Sequence, residues 1–431
     1  MDSDDTVTTE VCKEDDIGDG ELLEVTVAGY PVLLVRNRKE FSALGSKCPH
    51  SGAPLSKGIP SSGQGEKPHH GGVAALVCAE TLRQEGFTGR IIMATKEKHV
   101  PYDKSKLSKE MDLKAEDIYL RKPEFLAAQG IEIWTEKEAV SVDFQKQKVH
   151  FVDGSSQKYH QLLIATGSHA NFLPVPGADL QNVCLLQTPE DSSKIIELAT
   201  GRNLVVVGAS FVGMEVAAFL SDKAGTISVV DREEFPFQHT LGPQVGGVAL
   251  KVAEAVLANG EKLPADVVVV GTGSTPNSAF LKGTSITRDD KGAILVDLHM
   301  QTNIPNVFAA GDVVSFPVVL LNRDQSSIHH QQVAEAHGHC AALNMLKKGK
   351  ELHTVPFFWT TLVGKSIRYA GCGKGYTDTV VKGSLEQQKF LIFYIRDGLV
   401  TAAASLNCDP MVSLIAEVLY LGKQISKEEA E

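Results

Sequence analysis

The chain has 431 residues, enough for about three domains at roughly 150 residues each. Hydrophobic residues at 43% and charged residues at 22% are an ordinary globular composition, which excludes a disordered or collagen-like chain. A net charge of −11 argues against nucleic acid as the main partner, because phosphate binding needs a basic face.

The N-terminus, MDSDDTVTTEVCKEDD, is acidic and lacks both the basic start of a signal peptide and the Arg-rich pattern of a transit peptide. No apolar run reaches the ~18 residues of a membrane span. A cytoplasmic location is expected, with mitochondrial association as the alternative. Seven cysteines, an odd number scattered from position 12 to position 408, argue against a disulfide framework. The 38 glycines exceed the usual share of ~7% and point to tight turns or close backbone approaches to a ligand.

Residues 20–45 alternate in a strand-like way, with Gly29–Tyr30–Pro31 as a turn between two apolar runs. Residues 56–72 are polar and rich in Gly, Pro and Ser, and read as a linker. A helix is predicted over about 73–86, closed by Gly86, and then a short strand at Arg90–Ala94. Further strands are predicted at Gln161–Thr166, Asn203–Val207, Thr226–Val230, Ala265–Val270 and Val307–Ala310. Several are continuous apolar runs, as strands buried on both faces of a parallel sheet require. A helix follows at Gln331–Met345. From about residue 352, short strands and a closing helix at Pro410–Leu421 read as an α+β domain.

The best-formed motif is Gly208–Ala209–Ser210–Phe211–Val212–Gly213, a G-x-G-x-x-G with Ser at the middle Gly, between a strand and a helix. Gly208 permits the tight turn, Ser210 lets a pyrophosphate approach, and Gly213 lets helix pack on strand. Asp231 ends the next strand, 23 residues beyond Gly208. An acid there accepts the ribose 2′-OH, which favours NADH over NADPH. The competing reading is a Gly-rich packing turn in some other α/β sheet. Glu215 is a candidate beside the nicotinamide, or a helix N-terminal acid stabilised by the dipole.

Around this motif lie Ala165–Thr166–Gly167 and Thr302 through Val307–Phe308–Ala309–Ala310–Gly311–Asp312. Together the segments resemble the two-dinucleotide-domain flavoprotein disulfide reductase superfamily. Pro101–Tyr102–Asp103–Lys104–Ser105–Lys106–Leu107–Ser108–Lys109 and Phe358–Trp359 are similar to motifs of apoptosis-inducing-factor-like proteins with an N-terminal Rieske domain, related to bacterial ferredoxin reductases. The resemblance implies two Rossmann-like domains, an α+β C-terminal domain and a truncated N-terminal β segment. Its expected boundaries are 1–60 for the Rieske segment, 61–195 and 296–350 for the FAD-binding domain, 196–295 for the NAD-binding domain and 351–431 for the C-terminal domain. It also implies that Asp312 bonds the flavin's ribityl chain, that Thr166 and Gly167 lie near FAD, that Trp359 lies near the flavin ring, and that Lys104 and Lys109 could stabilise reduced flavin. Gly71, Gly72 and Ala75 take the place of the first FAD turn, and Gly273 closes a further Gly-rich turn.

Cys48–Pro49–His50–Ser51–Gly52–Ala53–Pro54–Leu55 resembles the first Rieske box, C-x-H-x-G, so Cys48 and His50 are the expected metal ligands of a [2Fe–2S] cluster. Three departures stand out. The second box, C-x-x-H, is absent, because the next cysteine is Cys78. His70 stands at the first Gly of the FAD turn, and the preceding GQGEKP lacks an apolar first strand. The stretch between Pro243 and Asp266 is short, with Ala255–Glu261 as one hairpin of a meander that lacks a strand. Intact flanks meeting across missing modules read as internal deletion.

The resemblance thus implies an FAD- and NADH-dependent oxidoreductase that delivers electrons to a Rieske-type acceptor. The rival reading is an inactive, splice-like remnant serving as an interaction or apoptosis-signalling protein. No Cys-x-x-x-x-Cys pair occurs, which disfavours dithiol exchange. His330 and His337, seven apart, share a helix face, which allows a metal reading beside a packing one. A homodimer is compatible with these features, and the electron acceptor is not legible.

Overall fold

The computed structural model describes residues 22–27, 30–37, 40–45, 67–70, 72–253, 263–362 and 364–431. It divides into two units, residues 1–61 and 62–431.

The first unit is a three-stranded antiparallel sheet of Leu22–Val27, Tyr30–Asn37 and Glu40–Gly45. Leu22 pairs with Val35 and Val32 with Gly45, so each strand follows directly on its neighbour. The third strand is an addition to the two apolar runs expected here, and Tyr30 and Pro31 already belong to the second.

In the second unit, a five-stranded parallel sheet runs in the order Val307–Ala309, Leu162–Ile164, Lys67–His70, Ile91–Ala94, Ile131–Trp134. Leu162, Leu163 and Ile164 are fully buried, as apolar runs covered on both faces should be. Helices Val73–Gln84 and Gln331–Met345 pack against each other so closely that a Cβ on Gly338 would lie 2.1 Å from Ala74 O. One expectation is corrected here. Lys67–His70, read from sequence as linker, fills the first-strand slot between Leu162–Ile164 and Ile91–Ala94. A strand flanked on both sides needs partner backbone more than an apolar sequence of its own, and periodicity cannot see that.

A second parallel sheet has the order Val183–Leu185, Val267–Val270, Asn203–Val207, Thr226–Val230. The C-terminal part is a five-stranded antiparallel sheet of Phe357–Leu362, Lys365–Gly371, Leu399–Leu406, Lys389–Arg396 and Asp378–Ser384, with helix Met411–Tyr420 against it. Its Phe390, Ile392 and Tyr394 share one apolar core with Leu204, Val206 and Met214 of the second parallel sheet and its helix. The Tyr394 hydroxyl donates to Leu241 O at 2.6 Å across that seam. Among the described residues no helix is long and apolar enough to cross a membrane. The hairpin expected at Ala255–Glu261 lies outside the described residues.

Candidate functional site

Strand Asn203–Val207 runs into Gly208, whose φ of 105° favours glycine, and helix Phe211–Phe219 follows. A Cβ on Gly208 would lie 2.4 Å from Gly271 O, and one on Gly213 only 2.0 Å from Gly208 O. Ser210 begins the helix, but its hydroxyl turns away and donates to Gly271 O at 2.8 Å. The first-turn N–H groups are therefore left without a side-chain cap, and no acid sits in that turn. Helix Val73–Gln84 is built alike, with Gly72 at its start, no side-chain cap and no first-turn acid. Helix Pro189–Ala199 differs: Thr188 and Asp191 close a capping box there, with Glu190 beside them. Two helix N-termini at the carboxyl ends of parallel strands are thus open to an anion, and the pyrophosphate of a dinucleotide fits each.

Asp231 follows strand Thr226–Val230 and accepts from the N–H of Ala209 at 2.5 Å and of Glu233 at 2.9 Å. The carboxylate tethers the glycine turn itself, and each oxygen keeps a lone pair for a ribose hydroxyl.

At the first parallel sheet, Gly72 faces Ala165 O, and a Cβ on Gly311 would touch Ala74. The fold therefore brings the Gly72 turn, Ala165–Thr166 and Gly311–Asp312 together. Thr166 Oγ1 donates to Asn277 O at 2.7 Å, and Asn277 Nδ2 donates back to Thr166 O at 2.9 Å. Gly167, at φ 65°, faces open space. Asp312 accepts from Ser168 Oγ at 3.3 Å. Ala75 is buried within its helix, and Gly273, at φ 94°, lies near Asn171 Nδ2. Gly71 lies outside the described residues, as do Cys48 and His50.

Helix Phe211–Phe219, which leaves the Gly208–Gly213 turn, carries a buried carboxylate. Glu215 accepts from Ser108 Oγ at 2.5 Å and from Thr360 Oγ1 at 2.7 Å, and pairs with the Lys109 ammonium at 2.9 Å. Its neighbour Phe211 stacks on Phe237 and meets Phe358 edge-on, at centroid distances of 4.8 and 5.0 Å. Of the two lysines expected near the flavin, Lys109 meets this carboxylate, whereas Lys104 pairs with Glu97 at 2.7 Å. Trp359 is 59% exposed, whereas Phe358 and Thr360, its neighbours on the strand, are buried toward Phe211 and Glu215. Strand alternation puts the tryptophan on the other face, so it is Thr360 and Phe358 that the strand delivers to the junction. Ser108, Thr360 and Phe358 were not singled out as site residues. The period of two in Phe358–Trp359–Thr360 was the signal available.

The histidines of the Gln331–Met345 segment do not converge. His330 stacks on Phe358 at 4.3 Å, whereas His337 Nδ1 accepts from the Gly311 N–H at 3.3 Å. Among the described residues no three His, Cys, Asp or Glu side chains gather as a metal site. Burial pushes the His330 imidazole down to about 4, helped by repulsion from His329 and Lys109, and burial alone pushes His337 down to about 3. Both rings are neutral in the fold and protonate near the ordinary value when unfolded. Their contribution to stability is therefore present above about pH 6.5 and lost as pH falls toward 3. The urea midpoint is expected to fall across that window and to fall less steeply in His337→Gln. Equal slopes in the two proteins would refute this assignment.

Repeated open helix N-termini at the edges of two parallel sheets, with a C-terminal sheet closing on the junction between them, define a two-dinucleotide α/β protein of the NADH-dependent flavoprotein oxidoreductase class. The chain belongs to the pyridine nucleotide-disulphide oxidoreductase family, whose model matches residues 71–255 and 241–338. The reductase C-terminal model matches residues 357–431 and the Rieske [2Fe–2S] domain model residues 7–73. Apoptosis-inducing factor 3 of Mus musculus is 40% identical over 521 aligned positions, covering 99% of this chain and 86% of that protein. Those 521 positions exceed the 431 residues of the chain by 90, so at least 90 of them face a gap here. Rhodocoxin reductase of Rhodococcus erythropolis is 28% identical over 370 residues, covering 78% of this chain and 84% of that one. A ferredoxin reductase from Rhodopseudomonas palustris superposes with a TM-score of 0.79 at 25% identity, over 85% of this chain and 96% of that one.

FAD and NADH are the cofactors of this class, and the two open helix N-termini fit them. The Rieske domain carries a [2Fe–2S] cluster, held by two Cys and two His. This chain supplies one C-x-H box and no C-x-x-H box. Cys78 cannot complete it, because it is fully buried in a helix with Sγ 3.7 Å from Met345 Sδ. The residues present do not fit a complete cluster.

Proposed function

We propose that the chain is an NADH-dependent flavoprotein reductase whose electrons leave for a small iron–sulfur protein. NADH lies on the Gly208–Ser210–Gly213 turn with Asp231 at its ribose. FAD lies at the Gly72 start of helix Val73–Gln84, flanked by Thr166, Gly167 and Asp312. Bound flavin supplies the chemistry: it takes a hydride and releases electrons singly. The protein's own part is to hold Lys109 on its partner Glu215 beside the Gly208–Gly213 turn and to keep water out with Phe211 and Phe358. In this reading Glu215 orients a cation and Trp359 belongs to an outer, partner-facing surface. The single observation that carries the proposal is the pair of uncapped helix N-termini, the second of them on the helix that carries the Glu215–Lys109 ion pair.

The acceptor class is supported by relatives named as reductases of ferredoxin-type proteins, among them a putidaredoxin reductase solved in covalent complex with putidaredoxin. The purified chain is expected to show flavin absorbance near about 450 nm that NADH bleaches under anaerobic conditions. It should then reduce an added ferredoxin that carries its own cluster. A folded, colourless protein with no uptake of added FAD would sink the proposal. One observation favours a second reading: at least 90 aligned positions are missing, together with the second cluster box. That pattern suits an inactive remnant acting through interactions, for which the colourless outcome is the expected one.

A further inference from the structure

Glu215 is gripped from three separate parts of the chain. Ser108 and Lys109 come from the short helix Lys106–Lys109, Glu215 from the helix after the Gly208–Gly213 turn, and Thr360 from the first strand of the C-terminal sheet. Ser108, Glu215 and Thr360 are 5%, 4% and 0% exposed, so water cannot substitute for a lost partner. Lys109 is different. Its side chain is 28% exposed, and among the described residues its ammonium reaches, besides Glu215, the Ser105 carbonyl at a long 3.5 Å. A four-carbon stem has ample rotamer freedom, so a fixed carboxylate is what gives this ammonium a direction.

We propose that Thr360 is a positioning residue that aims the Lys109 ammonium through Glu215, so that the C-terminal sheet sets the geometry of a charge held on the helix that follows the Gly208–Gly213 turn. The same Glu215 oxygen accepts from Thr360 and holds Lys109, whereas Ser108 holds the other oxygen. Remove the Thr360 hydroxyl and Ser108 is the one buried donor left on the carboxylate, which can then turn about that bond and carry the part-exposed Lys109 ammonium with it. The inference rests on the proposed function only for its meaning toward a flavin. The contact network stands without it.

The test has two arms. In the flavin-free chain, the acylation rate of Lys109 by an amine-reactive ester is measured by mass spectrometry against Lys104 in the same digest. Thr360→Val, which keeps shape and drops the hydroxyl, is expected to raise that ratio about fivefold, the shift that one net hydrogen bond supports. Thr360→Ser is expected to restore it, and Thr360→Ala gives the same readout should Val not be accommodated. In the flavin-loaded chain, the midpoint potential of Thr360→Val is expected to fall, since a cation that wanders stabilises added electrons less. An unchanged Lys109 ratio in both Thr360→Val and Thr360→Ala overturns the inference, whatever the flavin does. A raised ratio in a chain that takes up no FAD upholds the positioning and overturns the proposed function instead.

Discussion

Gly213→Ala is expected to cost about 2–4 kcal/mol of stability and to weaken NADH binding at least about tenfold, because one methyl group has nowhere to go. Its Cβ would stand 2.0 Å from Gly208 O and 3.1 Å from a Val206 methyl. The nearer neighbour is backbone in the turn that has to receive the pyrophosphate, so relief requires moving the turn itself. Conformation is not the reason, since Gly213 sits within a helix. Gly167→Ala makes the contrast. Gly167 has a φ of 65° but open space around a Cβ, so that change carries backbone strain of about 1 kcal/mol and no clash. Urea midpoints and NADH titration by fluorescence measure both. Should Gly213→Ala match Gly167→Ala in stability, the packing reading of this glycine is wrong.

Glu215→Leu is the second large change. It leaves the Lys109 ammonium and two buried hydroxyls facing an apolar side chain, and removing one member of a buried pair costs about 3–5 kcal/mol when the other stays buried. Lys109 is 28% exposed and can swing toward water, which puts the expected loss at the lower end, about 3 kcal/mol. Glu215→Gln keeps an acceptor for the hydroxyls and loses mainly the ion pair, so about 1–2 kcal/mol is expected. A double-mutant cycle with Lys109→Met should return a coupling of about 1–2 kcal/mol in chemical denaturation. Additive effects of the two substitutions would show that the 2.9 Å contact does not couple them.

The comparison of these two sites separates what a sequence can show from what it cannot. The Gly208–Gly213 turn was legible because its chemistry is local: strand, glycines, helix and Asp231 follow one another within two dozen residues. Helix Gln331–Met345 and strands Asn203–Val207 and Thr226–Val230 were legible for the same reason, as their apolar spacing is a property of short windows. Strand Lys67–His70 carried no such signal. It exists because Ile91–Ala94 pairs on one side of it and Leu163, 94 positions beyond His69, on the other.

By itself, then, the sequence determined the class of fold, the Gly208–Gly213 turn between its strand and helix, and Asp231 after the next strand, all features written in residue type and spacing. The tertiary structure alone decided that Lys109 and not Lys104 meets Glu215, and that Thr360 rather than Trp359 faces it. Those choices depend on which way side chains 106 and 145 positions apart point into a common space. Spacing along the chain holds no record of that. It is settled when three apolar surfaces close over one carboxylate, which must find donors there because it can no longer find water.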